Sequence, residues 1–127
     1  MIERRPLGLV ALSALVALIG LNHLLLFFVW IARPEGDPPT LAAEHVLVAA
    51  LSVAAAIGIW QLRPWAQWLL SLAGAASAVL VLSLGPLLSL PAESRAGLWV
   101  GAASIAGLTA LGVWYVRRAV REAQPAE

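Results

Sequence analysis

The sequence predicts an all-α integral membrane protein, folded as a four-helix up-down-up-down bundle that forms a single transmembrane domain over residues 1–127. Its 127 residues are 61% hydrophobic and only 12% charged, and the mean hydropathy is +0.89. An ordinary soluble domain has about 45–50% apolar and about 25% charged residues. A chain this short could not hide so much apolar surface in a water-soluble core, because small domains leave much of their surface exposed. We therefore expect lipid to be its solvent.

The first apolar run, Leu7–Ala32, contains no charged residue and is longer than the apolar region of about 7–15 residues in a secretory signal. It predicts an uncleaved membrane span. Thr40 and Ser94 are the predicted N-caps of the second and fourth helices, and Gly85-Pro86 is expected to end the third. Each span approaches the roughly 20 residues needed to cross about 30 Å of hydrocarbon. The remaining helices are predicted at about 41–62, 64–84 and 95–120.

The arginines predict the orientation of the four spans. One side of the membrane would hold both termini and the second connection, and with them six of the eight basic residues, namely Arg4, Arg5, Arg63, Arg117, Arg118 and Arg121. The other side would hold Arg33 and Arg95. Because basic residues accumulate in cytoplasmic segments, both termini are expected in the cytoplasm.

Small residues at four-residue spacing predict a helix-packing surface on the fourth span. Gly97 and Gly101 form one such pair, and Ala103 and Gly107 form another. Helices gain little from apolar burial against each other in lipid, so small residues promote association by allowing close backbone approach. This surface either packs against other helices of the bundle or forms a seam with another membrane protein subunit.

Two histidines are the side chains best suited to bind a ligand within the membrane. Counted at 1.5 Å per residue, His23 lies about 13 Å and His45 about 7 Å below the same boundary, on adjacent antiparallel helices. They could ligate a haem or a chlorin pigment. The alternative is a structural role, with His23 hydrogen-bonded to serine, Asn22 or a backbone carbonyl. Asn22 and Glu44 would extend the two histidines into a polar path, although Glu44 also suits a simpler role at the positive end of the helix dipole.

Several classes of chemistry have no support in the sequence. The chain has no cysteine, so thiolate metal sites and disulfides are absent. It contains no phosphate-binding glycine loop, no HExxH motif and no nucleophile elbow. We predict no catalytic residues, no metal site and no binding of nucleic acid, and we expect the protein not to be an enzyme.

The segment Leu62-Arg63-Pro64-Trp65-Ala66-Gln67-Trp68 and the ending Val113-Trp114-Tyr115-Val116-Arg117-Arg118 resemble those of uncharacterised small four-helix bacterial integral membrane proteins. The resemblance covers the second half of the chain and implies a multi-pass protein of the bacterial cytoplasmic (inner) membrane. It implies no activity.

Three functional hypotheses follow from the sequence. The first is a non-catalytic accessory or scaffold subunit of a larger membrane protein complex, with lipid and other membrane subunits as its partners. The second is a small homo-oligomeric channel or transporter that uses the polar path. The third is a pigment- or haem-binding membrane protein that uses His23 or His45.

Overall fold

A computed structural model describes residues 6–32 and 39–124, and within these ranges it contains four helices and no strand. The helices are α1 (Leu7–Ala32), α2 (Pro39–Trp60), α3 (Ala66–Leu87) and α4 (Ala92–Ala123). All four are long and apolar enough to cross a membrane. The predicted all-α membrane bundle is confirmed, and the protein is a multi-pass membrane protein. The predicted positions of Arg4, Arg5 and Arg33 lie outside the described residues.

Neighbouring helices pack in chain order, α1 against α2, α2 against α3, and α3 against α4. Glycines allow these helices to approach closely. A Cβ atom placed on Gly20 of α1 would lie 3.2 Å from the carbonyl oxygen of Ala49 in α2. On α3, a Cβ atom on Gly74 would overlap the side chain of Thr109 in α4. Close backbone approach of this kind is the usual basis of helix association in lipid.

The N-termini of α2 and α4 differ from the prediction. Thr40 is not an N-cap but lies in the first turn of α2, which begins at Pro39. Proline suits this position, because its fixed φ is compatible with a helix and its missing N–H would have no partner there. Ser94 likewise lies inside α4, whose N-cap is Pro91 with an extended backbone and no side-chain cap.

Helix α3 does not end at Gly85-Pro86 as predicted, but continues to Leu87. Pro86 has no N–H to donate to the Leu82 carbonyl, yet α3 continues for one residue beyond it. A Schellman motif then ends α3: the Leu90 N–H donates to the Gly85 carbonyl at 2.9 Å, and the Ser89 N–H donates to the Pro86 carbonyl at 3.3 Å. Ser89 adopts the left-handed conformation that this motif requires, with φ of 51°.

The same motif ends α2 at Trp60, two residues before the predicted end. Here Leu62 takes the left-handed position, with φ of 54°, and the Arg63 N–H donates to the Gly58 carbonyl at 2.9 Å. Leucine pays a steric cost in this conformation that glycine does not. Leu62 also packs against the buried core, which offsets part of that cost.

The main hydrophobic core lies in one half of the bundle. We call this the terminal half, because α1 begins and α4 ends there, and we call the other the distal half. The core is made by the start of α1, the end of α2, the start of α3 and the end of α4. Its buried residues are Leu9, Val16, Ala55, Ala56, Ile59, Ala66, Leu70, Val116 and Val120. Tight packing in the terminal half leaves the distal half to hold the polar site.

Candidate functional site

The antiparallel packing of α1 and α2 brings His23 and His45 into direct contact. Their Nδ1 atoms lie 2.9 Å apart, which is a hydrogen-bond distance. The ring centroids are 5.2 Å apart and the planes are tilted by 36°. Both side chains are half-buried. The partner of His23 is thus the second histidine, not Asn22, a serine or a backbone carbonyl as expected for a structural role.

The hydrogen bond fixes the relationship between the two tautomers. One Nδ1 must carry a proton and donate it, and the other must be bare and accept it. The donor ring then has a bare Nε2, whereas the acceptor ring carries its proton on Nε2. If the other ring donates through Nδ1, the donor and acceptor characters of the two Nε2 atoms are exchanged as well. In the His23–His45 pair, each Nε2 can therefore act as a hydrogen-bond donor in one tautomeric state and as an acceptor in the other.

This arrangement suits a hydrogen bond better than a shared metal ion. With metal–nitrogen bonds of about 2.0 Å, two tetrahedral ligand nitrogens lie about 3.3 Å apart, and two axial ligands lie about 4 Å apart. The observed 2.9 Å is shorter than both. The described residues also contain no cluster of three or more His, Cys, Asp or Glu side chains able to hold a metal ion. Ligation of one metal by both Nδ1 atoms would require the rings to separate.

Glu44 is directed to a different helix from its neighbour His45. Its Oε2 accepts a hydrogen bond from the Ser83 hydroxyl at 3.0 Å, which joins α2 to α3 in the distal half. The Ser83 Oγ also lies 2.8 Å from the Leu80 carbonyl of its own helix. Glu44 is half-buried, and its contact with Ser83 is a tertiary interaction that its position in the first turns of α2 did not predict.

A cavity of about 480 Å³ lies between the four helices, near the middle of the spans. Asn22 and His23 line it from α1. The other helices contribute three hydroxyl groups, those of Ser52, Ser77 and Thr109. The remaining lining is apolar or glycine, from Val16, Leu18, Ile19, Leu70, Ala73, Gly74, Ile105 and Leu108. Ligand pockets commonly have volumes of about 300–1,000 Å³ and a mostly apolar lining with a few polar groups, so this cavity has the size and character of one.

The cavity opens sideways between α1 and α4. Leu18 on α1 is 62% exposed and Leu108 on α4 is 70% exposed, although both line the cavity. The side toward the terminal half is closed, because Val16 and Leu70 belong both to the cavity wall and to the buried core. In this conformation the cavity ends at the core residues Val16 and Leu70.

Sequence analysis did not single out Ser52, Ser77, Ser83 or Thr109. Each is one hydroxyl residue within a long apolar span, and no spacing distinguishes it from Ser71 or Ser104. A hydroxyl in a membrane helix can bond to its own backbone, as Ser77 does to the Ala73 carbonyl at 2.8 Å. Only the packing of the helices shows which hydroxyls face the cavity.

The predicted packing surface on α4 is divided between two faces. A Cβ atom on Gly101 would lie 3.5 Å from Val81 of α3, so this glycine is directed into the bundle. Gly97 and Gly107 meet nothing within 4 Å, and Ala103 is exposed. Three of the four predicted seam residues thus lie on the exposed side of α4.

The distal half therefore holds a hydrogen-bonded histidine pair and a Glu44–Ser83 bond, and a laterally open cavity lies next to the pair in the middle of the spans. The histidine pair has two neutral tautomeric states, and the cavity can accept an apolar molecule of moderate size. These properties suit the binding of a ligand and the placement of protons on particular nitrogen atoms. No protein-family model, curated protein or solved structure matches this chain.

Proposed function

We propose that the protein is a non-catalytic accessory subunit of a larger membrane protein complex, and that it docks through the outer face of α4. One observation carries the proposal. Ala103 and Gly107 are exposed on the outer side of α4, and with the exposed Ala96 and Ala110 they form what we call the outer stripe. Ala103, Gly107 and Ala110 follow the four- and three-residue spacing that keeps a row on one side of a helix, and Ala96 lies two turns before Ala103 on the same side.

Two further features support this docking face. Among the four spans, α4 is the least buried inside the bundle. It is also the longest, with 32 residues against 22 in α3, and its last turns carry the exposed Arg117, Arg118 and Arg121. A partner with a transmembrane helix of small residues could approach the outer stripe closely. Acidic groups of that partner could meet the arginines where α4 leaves the bilayer.

Photo-crosslinking from single positions tests this docking face. A photoreactive amino acid placed at Gly107 should give one discrete adduct with another protein in native membranes, and the same amino acid at the exposed Ala14 of α1 should not. The substitution Ala103→Leu should abolish the adduct, because a bulky side chain would separate the two helices. A crosslink to a second copy of this chain would replace the proposal with the homo-oligomeric channel or transporter. Labelling of lipid alone would refute both.

We also propose that both termini lie in the cytoplasm of a bacterium and that the α3–α4 connection lies outside. The arginine distribution supports this orientation. Because the chain has no cysteine, single cysteines can report it cleanly. In intact cells a membrane-impermeant maleimide should label Ser89→Cys but not Gln124→Cys. The reverse pattern would invert the topology.

A further inference from the structure

We propose that the central cavity binds a lipid-soluble molecule with an apolar body and a single hydroxyl or carbonyl group, and that His23 forms the hydrogen bond to that group. The inference is independent of the docking face on α4, which lies on the opposite side of that helix. It joins three observations: the shape and lining of the cavity, its lateral opening, and the tautomeric freedom of the histidine pair.

The lining determines the body of the ligand. Most of the cavity wall is aliphatic, including Ile19, Ile105 and Leu108. The wall contains no carboxylate and no arginine among the described residues. A charged ligand would lose its hydration without gaining a counter-ion, which is costly in an apolar environment. The occupant is therefore an uncharged and mainly apolar molecule.

The opening determines how the ligand arrives. The exposed wall residues Leu18, Ile19 and Leu108 lie on α1 and α4, at the level of the lipid chains. Within the described ranges, these two helices do not form an interface like those between chain neighbours. Toward the terminal half the buried core closes the cavity at Val16 and Leu70. A ligand that already partitions into the bilayer can enter between α1 and α4 without crossing that core.

The histidine pair determines the polar group of the ligand. His23 lines the cavity and uses its Nδ1 for His45, and among the described residues no hydrogen bond reaches its Nε2. When His23 donates through Nδ1, its Nε2 can accept from a hydroxyl group. When His45 donates, the His23 Nε2–H can donate to a carbonyl group. The pair accommodates both kinds of ligand through its two neutral tautomeric states, which interconvert when each ring moves its own proton between Nδ1 and Nε2.

Three compounds with the same two-ring body test the inference. Benzophenone carries a carbonyl group and crosslinks to nearby C–H bonds under ultraviolet light; benzhydrol carries a hydroxyl group; and diphenylmethane carries neither. The full-length protein in vesicles of phosphatidylethanolamine and phosphatidylglycerol would be labelled with benzophenone and mapped by peptide mass spectrometry. We expect saturable labelling at Ile19, Ile105 or Leu108, with benzhydrol competing better than diphenylmethane.

Variants separate binding in the cavity from partitioning into lipid. His23→Phe should raise the half-saturating concentration of benzophenone by roughly three- to tenfold, the value of one neutral hydrogen bond. It should also make benzhydrol and diphenylmethane equal as competitors. Ser77→Leu should weaken saturable labelling by narrowing the cavity, and the exposed Ala14→Leu should leave it unchanged.

Two outcomes would overturn the proposal. One is labelling that rises linearly with concentration and spreads over the outer faces of α1 and α4, which would mean partitioning alone. The other is saturable labelling that His23→Phe leaves unchanged, which would exclude the histidine as the binding group. Because His23→Phe keeps a ring of similar size, its circular dichroism and size-exclusion profile should match the parent protein. This control keeps loss of folding apart from loss of binding.

Discussion

Replacing Gly74 with alanine should force α3 away from α4, because the added methyl group would occupy the space of the Thr109 side chain. The Thr109 Cβ lies 2.7 Å from the position of the new carbon, and the Oγ1 and Cγ2 atoms lie closer still. A different χ1 rotamer cannot relieve the overlap, since the Cβ itself takes part and threonine has few rotamers in a helix. The two backbones must separate instead.

The expected loss of stability is about 1–3 kcal/mol, the usual range for an overpacked contact. The free energy of unfolding can be measured by titrating sodium dodecyl sulfate into protein held in a mild detergent. Gly107→Ala is the matched control, because nothing lies within 4 Å of a methyl group at that position. In the control, the better helix propensity of alanine should leave stability unchanged or raise it by up to about 1 kcal/mol.

A compensating substitution provides the sharper test. The double variant Gly74→Ala, Thr109→Gly moves the small residue from α3 to α4 and removes every overlapping atom. It should recover much of the lost stability, with a coupling energy of about 0.5–3 kcal/mol between the two positions. If Gly74→Ala and Gly107→Ala changed stability equally, or if the two substitutions were simply additive, α3 and α4 would not meet at Gly74 and the packing described above would be wrong.

Two further predictions concern single serines and use the same unfolding measurement. Ser13→Ala should lower stability by about 0.6–1.5 kcal/mol, because the buried Ser13 hydroxyl donates to the Ala56 carbonyl of α2 at 2.9 Å. Ser104→Ala is the control and should be neutral, because it loses only a hydrogen bond within its own helix. Equal effects of the two substitutions would contradict the interhelical role of Ser13. Ser89→Gly should stabilise by about 1 kcal/mol, because glycine adopts the positive φ at the end of α3 without steric cost. Ser94→Gly, inside α4, should destabilise by a similar amount, and destabilisation by Ser89→Gly would refute the assignment of the Schellman motif.

The sequence by itself determined the four membrane spans and their order. Backbone polar groups have no water to bond in the hydrocarbon layer, so an apolar run of this length must satisfy them internally as a helix. That argument is local, and it predicted α1 with both of its observed ends. The helix ends elsewhere were less predictable. Thr40, Ser94 and Pro86 were each assigned a boundary from residue type, yet all three lie inside helices.

Only the tertiary structure decided what each helix presents to its neighbours. Depth in the bilayer follows from counting residues, and it correctly placed His23 and His45 on adjacent helices at comparable levels. Counting residues could not predict the 2.9 Å contact between the histidines or the hydrogen bond between Glu44 and Ser83. Both depend on how each helix is rotated about its axis. Rotation also separated Gly101, which faces α3, from Gly97, which faces outward. In a span that is apolar on all sides, no polar stripe marks the inner face, so close packing and a few interhelical hydrogen bonds set that rotation.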